Sequence, residues 1–310
     1  MSFEKDSPCK VNLVLNVLGK RPDGFHELET VMHPIALYDR LSFERSGKGV
    51  TLTCSEPSLP TDGRNLAYRA AAAFLDAASI KEGIRIHLEK RIPLEAGLGG
   101  GSGNAATTLL GLNDLFGHPL TPDQLDTLAA SLGSDVPFFL QSSPALATGR
   151  GEQIRPLPFF PALKGASFLL IHPGFGISTA WTYQRLARFP AAFNGKRGRA
   201  QELIASLTSG DLISAGKFLY NSLEAPALEK YPLLQLFQDF LREKGAIGTL
   251  MSGSGSTTFA ITRDQQVAED LTSKFKAKFG TKNWIAIVPC VASEPQNQLK
   301  GSKTTIQQSL

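Results

Sequence analysis

Glycine dominates a short segment in the first half of the chain, residues 97–103. Five of its seven residues are glycine, and the segment reads Gly-Leu-Gly-Gly-Gly-Ser-Gly. Glycine costs roughly 0.5–1 kcal/mol relative to alanine in a regular element, so such a run suits a backbone that turns sharply or approaches a ligand closely. A helical pattern follows at once, with Ala105, Leu109, Leu112 and Phe116 at helical spacing. Because the free N–H groups at a helix N-terminus bind anions, the segment predicts a phosphate-binding loop.

Other classes of glycine-rich segment fit this sequence less well. A Walker loop needs lysine and then serine or threonine after its last glycine, and no lysine occurs here. Residues 101–106 match the bare dinucleotide pattern Gly-x-Gly-x-x-Ala, but Lys-Arg-Ile-Pro at 90–93 separates the loop from the preceding strand. A flexible linker does not usually lie between an amphipathic strand and a well-patterned helix. A dehydrogenase is therefore the weakest alternative.

Both halves of the chain combine strand and helix patterns. Residues 10–18 alternate, with Val11, Leu13, Leu15 and Val17 on one face, and this predicts a strand with one face on a core. The same reasoning predicts strands at 33–43, 50–54, 84–88, 167–172, 257–261 and 284–289. Helices are predicted at 65–78, 105–116, 121–132, 201–207, 210–219, 233–244 and 267–279.

These elements predict an α+β protein of two domains. The proline-rich segment 156–165 suggests a joint, giving an N-terminal domain at 1–160 that carries the glycine loop and a C-terminal domain at 161–291. Residues 292–310 are polar, and we expect a disordered tail there.

Composition excludes several classes of function. The chain has 310 residues, 42% apolar and 19% charged, as in ordinary globular proteins. The net charge of +4, without a long basic run or an RNA-binding aromatic signature, does not indicate a nucleic-acid partner. Three widely spaced cysteines and five scattered histidines predict neither a disulfide framework nor a metal site, and a reducing cytoplasm is the simplest compartment. The polar N-terminus and the lack of a long apolar run predict no signal peptide and no membrane association.

Three segments in order resemble the motifs of the GHMP kinase superfamily. They are Ser-Pro-Cys-Lys-Val-Asn-Leu at 7–13, the glycine loop with its upstream proline at 93–102, and Met-Ser-Gly-Ser-Gly-Ser-Thr at 251–257. The resemblance covers residues from about 7 to about 290. It implies a ribosomal-protein-S5-like N-terminal domain, a ferredoxin-like C-terminal domain and an active site in the cleft between them.

Four segments resemble one subfamily of that superfamily, the 4-diphosphocytidyl-2-C-methyl-D-erythritol kinases of the non-mevalonate isoprenoid pathway. They are Lys-Val-Asn-Leu at 10–13, Gly-Lys-Arg-Pro-Asp-Gly-Phe-His-Glu-Leu at 19–28, Gly-Ser-Asp-Val-Pro-Phe-Phe at 133–139 and Ala-x-Gly-x-Gly-Glu at 147–152. The resemblance implies phosphorylation of the substrate 2-hydroxyl by ATP with Mg²⁺. Cys9, Phe25 and Gly103 stand where alanine, tyrosine and serine or threonine are usual.

The resemblance also implies roles for individual residues. Asp135 would accept the proton of the substrate hydroxyl, Lys10 would offset charge on the transferring phosphoryl group, and Asn12 would hold the pair in place. From the residues alone, Asp135 could instead cap a helix. The expected ATP-binding residues are Pro93, Leu94, Glu95, Ala96, Gly97, Leu98, Gly99, Gly100, Gly101, Ser102, Gly103 and Asn65. No protein metal ligand is assigned, although the Ser102 hydroxyl could contact Mg²⁺ or a phosphate.

The substrate site is expected at two aromatic positions and a histidine. Phe25 and Tyr183 would stack on the cytosine of a cytidine diphosphate derivative of methylerythritol, and His26 would hydrogen-bond its edge. Asn65 could contact adenine or cap the following helix, and the residues alone do not separate these readings. The alternatives are another GHMP kinase, of the homoserine or mevalonate type, and a nucleotide-binding protein without turnover.

Overall fold

The computed structural model describes residues 3–290 together with the backbone of the short strand at 305–307. A seven-stranded sheet forms the N-terminal part, in the order β3-β4-β2-β1-β8, with β5 pairing to β2 and β6 to β5. Its strands are β1 (Phe3–Lys20), β2 (His26–Arg45), β3 (Val50–Cys54), β4 (Ile84–Glu89), β5 (Ala145–Thr148), β6 (Gln153–Pro156) and β8 (Tyr220–Asn221). Three helices pack on this sheet: α1 (Leu66–Ala77), α2 (Gly100–Leu115) and α3 (Pro122–Leu132).

A second, five-stranded sheet forms the C-terminal part, in the order β12-β11-β7-β10-β9. Its strands are β7 (Ser167–His172), β9 (Gly248–Met251), β10 (Thr258–Thr262), β11 (Trp284–Pro289) and β12 (Thr305–Gln307). The helices of this half are α4 (Thr179–Leu186), α5 (Arg199–Ser209), α6 (Leu212–Phe218), α7 (Glu224–Lys230), α8 (Pro232–Glu243) and α9 (Gln265–Phe279).

Strand β7 is buried on both faces, and this joins the two halves. Leu169 and Ile171 pack with residues of α8 and α9. Phe168 and Leu170 point the opposite way, into a core that includes Val11 of β1. The alternation of a strand thus serves two hydrophobic layers, and burial of each apolar side chain stabilises the fold by roughly 1.5–3 kcal/mol.

The order and type of the expected elements agree well with the structure, which adds details that the patterns did not show. The face of β1 opposite Val11 is not exposed, because Lys10, Asn12 and Asn16 are also buried. The expected joint at 156–165 is packed into the core through Phe160 and Leu163. The patterns gave no sign of the hairpin of β5 and β6, of β8, β9 and β12, or of α4 and α7.

Two expectations concern parts of the chain at its limits. Most of the tail expected to be disordered, 292–310, lies outside the described residues, and Thr305–Gln307 form β12 beside β11. Within the described residues, no helix is both long enough and apolar enough to cross a membrane.

Candidate active site

The glycine loop adopts a conformation that leaves a helix N-terminus open. Gly97 and Gly99 have φ of 74° and 72°, a left-handed conformation that side chains with a Cβ rarely adopt. Gly99 is the N-cap residue of α2 and provides no side-chain cap, and no acidic residue occupies the first turn. Within residues 3–290, no acceptor is found for the N–H groups of Gly100, Gly101 and Ser102. The loop therefore presents unpaired donors and the positive end of a helix dipole to an anion.

The segment 251–257 contacts this loop from behind. The Ser252 hydroxyl donates to the carbonyl oxygen of Gly97 at 2.9 Å. The N–H of Thr257 donates to the carbonyl of Ala96 at 3.2 Å. The turn between β9 and β10 thus fixes the backbone at the start of the loop.

Glu224 and Asn221 in turn hold segment 251–257. The Asn221 amide donates to the carbonyls of Met251 and Gly253 at 2.8 and 2.7 Å. The Glu224 carboxylate accepts from the Met251 N–H at 2.7 Å and from the Gln238 amide at 2.6 Å. Burial raises the pKa of Glu224 to about 7, because the apolar surroundings disfavour the charged form.

A buried ionic cluster lies beneath the other side of the loop. The Asp39 carboxylate is fully buried and forms an ion pair with Lys90, whose side chain is only 6% exposed. Asp39 also accepts the N–H groups of Arg91 and Ile92 at 2.7 and 2.9 Å and the Asn104 amide at 2.9 Å. Asp39 therefore connects β2 to the segment entering the loop and to helix α2.

Lys10 and Asp135 come together at the floor of the cleft. The Lys10 ammonium lies 3.3 Å from Asp135 Oδ2 and donates to Asn12 Oδ1 at 2.6 Å. Asn12 is held by its own amide, which donates to the Thr30 hydroxyl at 2.8 Å. The Lys10 side chain is 3% exposed, whereas that of Asp135 is 39% exposed. A buried chain of polar groups thus aims one accessible carboxylate into the cleft.

The structure gives no support to the capping alternative for Asp135. The 3-10 turn that follows begins at Pro137, and its N-cap residue is Val136, without a side-chain capping bond. The Asp135 carboxylate instead forms an ion pair with Lys10. The side chain is therefore free to interact with a ligand and with Lys10.

The predicted cytidine residues lie at the other end of the cleft. The Phe25 side chain is exposed, and the His26 ring lies 5.0 Å from Tyr183 and 5.8 Å from Phe193, centre to centre. Burial, and to a smaller extent Lys20, lower the pKa of His26, which keeps one ring nitrogen as a donor and the other as an acceptor. Burial and the charge of Asp135 raise the pKa of Tyr183. No ring contact joins Phe25 to Tyr183 within the part of the chain described.

One open cleft of about 1780 Å³ contains the loop, the Lys10–Asp135 pair and the aromatic residues. It reaches every residue of 93–102 and also Asn65, Phe25, His26 and Tyr183. Asp135 lies between the helix N-terminus and the aromatic end. This arrangement can bind an anionic ligand at one end and a planar ring at the other, with a carboxylate between them.

Two predicted ATP-binding residues have other local roles. Gly103 does not line the cleft, because it lies against Pro8 and its N–H already donates to Gly99 within the helix. A serine or threonine hydroxyl at that position could not have reached a phosphate without displacing β1. Asn65 lines the cleft but caps α1, accepting from the Ala67 N–H at 2.9 Å and donating to the Pro60 carbonyl at 2.9 Å. The amide of Asn65 is thus already engaged.

Two further cleft residues were not expected from the sequence. Arg150 projects from the turn between β5 and β6, and Lys90 lies under Gly100 with Asp39. For Asp39, the partner of Lys90, the sequence does indicate burial, because Asp39 occupies an inward position in the alternation of Leu37, Leu41 and Phe43. The sequence shows no such signal for Arg150.

Two family models match the chain. The model of the family described as "GHMP kinases N terminal domain" matches residues 65–143, which include the glycine loop and Asp135. The description "GHMP kinases C terminal" matches residues 203–281, which include the segment behind the loop.

Relatives with a stated function cover most of the chain. The 4-diphosphocytidyl-2-C-methyl-D-erythritol kinase of Synechococcus sp. (strain JA-3-3Ab) is 43% identical over 82% of this chain and 82% of its own length. The enzyme of the same name from Syntrophotalea carbinolica is 39% identical over 94% of this chain and 98% of its own.

Solved structures of similar fold lead to the same group. A crystal structure of 4-(cytidine 5'-diphospho)-2C-methyl-D-erythritol kinase superimposes with a TM-score of 0.76 at 37% identity, covering 93% of this chain and 99% of that one. Homoserine kinase from Cytophaga hutchinsonii superimposes with a TM-score of 0.74 at 20% identity, covering 94% and 96%, and shows a shared fold alone.

Proposed function

The chain belongs to the family of 4-diphosphocytidyl-2-C-methyl-D-erythritol kinases within the GHMP kinases, and on that premise we propose how its cleft transfers a phosphoryl group from ATP. The protein is an ATP-dependent kinase whose acceptor is an alcohol. The acceptor is the 2-hydroxyl of 4-diphosphocytidyl-2-C-methyl-D-erythritol, and the reaction serves the non-mevalonate route to isoprenoid precursors.

The observation that carries the proposal is the place of the Lys10–Asp135 pair between the glycine loop and Phe25 with His26. Phosphoryl transfer requires the donor and acceptor to be aligned and the charge on the transferring group to be offset. The N–H groups at the start of α2 hold the ATP phosphates. Asp135 accepts the proton of the acceptor hydroxyl, while Lys10 stabilises charge on the phosphoryl group and Asn12 orients Lys10.

The residues near the loop also fit Mg²⁺ bound with ATP. Within the described residues, no group of three or more His, Cys, Asp or Glu could enclose a metal ion. Mg²⁺ typically takes few protein ligands and is held by substrate phosphates and water, so a single hydroxyl such as that of Ser102 suffices. When bound, the ion neutralises charge on the phosphates.

The aromatic end of the cleft supports a cytidine-containing acceptor. The Phe25 side chain is 50% exposed and lines the cleft, and stacking on a nucleobase would cover it. His26 presents a neutral imidazole beside it. A homoserine or mevalonate acceptor has no nucleobase for these residues to contact, and the relatives that are 43% and 39% identical carry the cytidyl name.

The test of the proposal is Asp135→Asn, assayed by ADP release with ATP, Mg²⁺ and 4-diphosphocytidyl-2-C-methyl-D-erythritol. Asparagine keeps the shape of the side chain but cannot accept the proton, so kcat should fall by about 10²–10⁴-fold, the usual range for general-base catalysis. Binding of ATP should persist, because Asp135 is not part of the loop. Lys10→Met should cause a similar fall, and the double variant should be little worse than either single variant.

Asp126→Asn is the matched control, because Asp126 is an exposed aspartate on α3 outside the cleft. Its activity should equal that of the parent protein. If Asp135→Asn also turned over at the parent rate, the base would have to be another group. If the parent protein released ADP with homoserine or mevalonate but not with the cytidyl substrate, the assigned acceptor would be wrong.

A further inference from the structure

Most cations that line the cleft already have a carboxylate partner at close range. Lys10 pairs with Asp135, Lys90 pairs with Asp39, and Arg64 donates to its neighbour Asp62 at 2.8 Å. Within residues 3–290, Lys20 forms no ion pair, and Arg150 forms only a longer one, with Glu152. The Arg150 Nε lies 3.6 Å from Glu152 Oε1, beyond a normal hydrogen bond, and no acceptor for its terminal NH₂ groups is found within residues 3–290.

Arg150 lies between the two ends of the acceptor site. Its guanidinium carbon is 4.7 Å from the centre of the Phe25 ring. The next residue, Gly151, is close to Asp135, the proposed general base: a Cβ added at Gly151 would lie 3.9 Å from Asp135 Oδ1. One tight turn therefore connects the stacking residue to the residue that meets the acceptor hydroxyl.

In the proposed acceptor substrate, the negative charge lies between the cytidine and the alcohol, just as Arg150 lies between Phe25 and Asp135. Its diphosphate joins the cytidine, which would lie on Phe25, to the alcohol, which would lie at Asp135. A guanidinium group presents several N–H donors in one plane and binds phosphate oxygens in pairs. The Arg150 side chain is 31% exposed, so it needs little rearrangement to reach such a ligand.

We propose that Arg150 binds the diphosphate of the acceptor substrate and so sets the distance between the stacked base and Asp135. This inference rests on the proposed function. Glu152 prepares the residue for this role, because its Oε2 accepts the backbone N–H of Arg150 at 2.7 Å and fixes the turn. Arg150 is thus a specificity determinant for a nucleoside diphosphate over a plain nucleoside.

The test compares the binding of CDP with that of cytidine by calorimetry, at constant ionic strength, for the parent protein, Arg150→Met and Arg155→Met. Arg155 is the matched control, an exposed arginine on β6 of the same hairpin that does not line the cleft. Since hydrogen bonds to charged groups are the strong ones, Arg150→Met should weaken CDP binding about 10- to 100-fold and leave cytidine binding within about threefold. Arg155→Met should change neither.

Other results would overturn the inference. An equal loss of CDP and cytidine binding would mean that Arg150 acts only by holding Phe25. Unchanged binding of both would mean that it has no part in the site. Failure of the proposed function has a different signature, because the parent protein itself would then neither bind CDP nor release ADP with the cytidyl substrate.

Discussion

Replacing Asp39 with asparagine tests the ionic cluster beneath the phosphate loop. Asparagine has nearly the same shape, so the change removes charge and one acceptor atom without leaving a cavity. The Asp39 side chain is fully buried and accepts from two backbone N–H groups and the Asn104 amide, in addition to its ion pair with Lys90. The variant leaves Lys90 as a buried cation without a counter-charge, and turns an NH₂ group toward a donor.

The expected loss is large relative to the stability of a folded protein. Breaking a buried ion pair by removing one partner costs about 3–5 kcal/mol, against a typical total of about 5–15 kcal/mol. At about 2–4 °C for each kcal/mol in a domain of this size, Asp39→Asn should lower the melting temperature by roughly 10 °C. Differential scanning calorimetry measures it directly.

A double variant separates the lost charge balance from lost hydrogen bonds. In Asp39→Asn with Lys90→Met the uncompensated cation is gone, so the double variant should be more stable than Asp39→Asn alone. Asp270→Asn is the control, because Asp270 is exposed on α9, and its melting temperature should stay within about 1–2 °C of the parent. The reasoning fails if Asp39→Asn melts with the parent, or if the double variant is less stable than both single variants.

Three further predictions concern the glycine loop, the stacking of cytosine on Phe25 and the buried Glu224 carboxyl behind the loop. A Cβ at Gly101 would meet nothing closer than Leu66, at 3.7 Å, so Gly101→Val should fold normally. Its branched side chain should block the approach of phosphate, so calorimetry should detect no ATP binding. The control, Ala277→Val on the exposed face of α9, should bind ATP like the parent protein. Phe25→Ala should raise KM for the cytidyl substrate by an amount equivalent to about 1–3 kcal/mol and leave KM for ATP unchanged; equal effects on both would contradict the stacking role. Burial raises the pKa of Glu224 from 4.5 to about 7, so between pH 4.5 and pH 7 the folded protein keeps the Glu224 proton while the unfolded chain loses it. Glu224 should therefore lower the free energy of unfolding by about 3 kcal/mol as pH rises from 4.5 to 7. Glu224→Gln should therefore be more stable than the parent at pH 8 but not at pH 4 in urea unfolding, and equal stabilities at pH 8 would refute the argument.

Local patterns were sufficient to predict most of the longer elements and a glycine loop at the start of a helix. Alternation and helical spacing depend on neighbours a few residues away, and these patterns placed β3, β4, β7, α3 and α9 close to where the structure has them. They also predicted β1 and α2, but both begin several residues earlier than expected, at Phe3 and Gly100. The glycine run followed by a helix is also a local signal, since the donors and the dipole that bind phosphate belong to one segment. Motif resemblance added the proposed roles of Lys10 and Asp135.

The alternatives that the residues left open needed the tertiary structure. Asn65 and Asp135 each precede a helical segment and could each act as a cap, yet only Asn65 does so, because Asp135 turns toward Lys10. Gly103 belongs to the glycine run but faces β1, because the helix has turned it away from the cleft.

What only the tertiary structure decided is which distant residues meet. Asp39 and Lys90 are 51 positions apart along the chain, and their ion pair arises because β2 and the segment after β4 converge under α2. Arg150 reaches Phe25 because the β5–β6 hairpin pairs with β2 beside the turn that carries Phe25. A short sequence pattern indicates the backbone conformation that its own segment prefers and the face of that segment that is buried. Contacts between charged side chains that are distant along the chain depend on which strands pair and in which register, and no local spacing in the sequence encodes that.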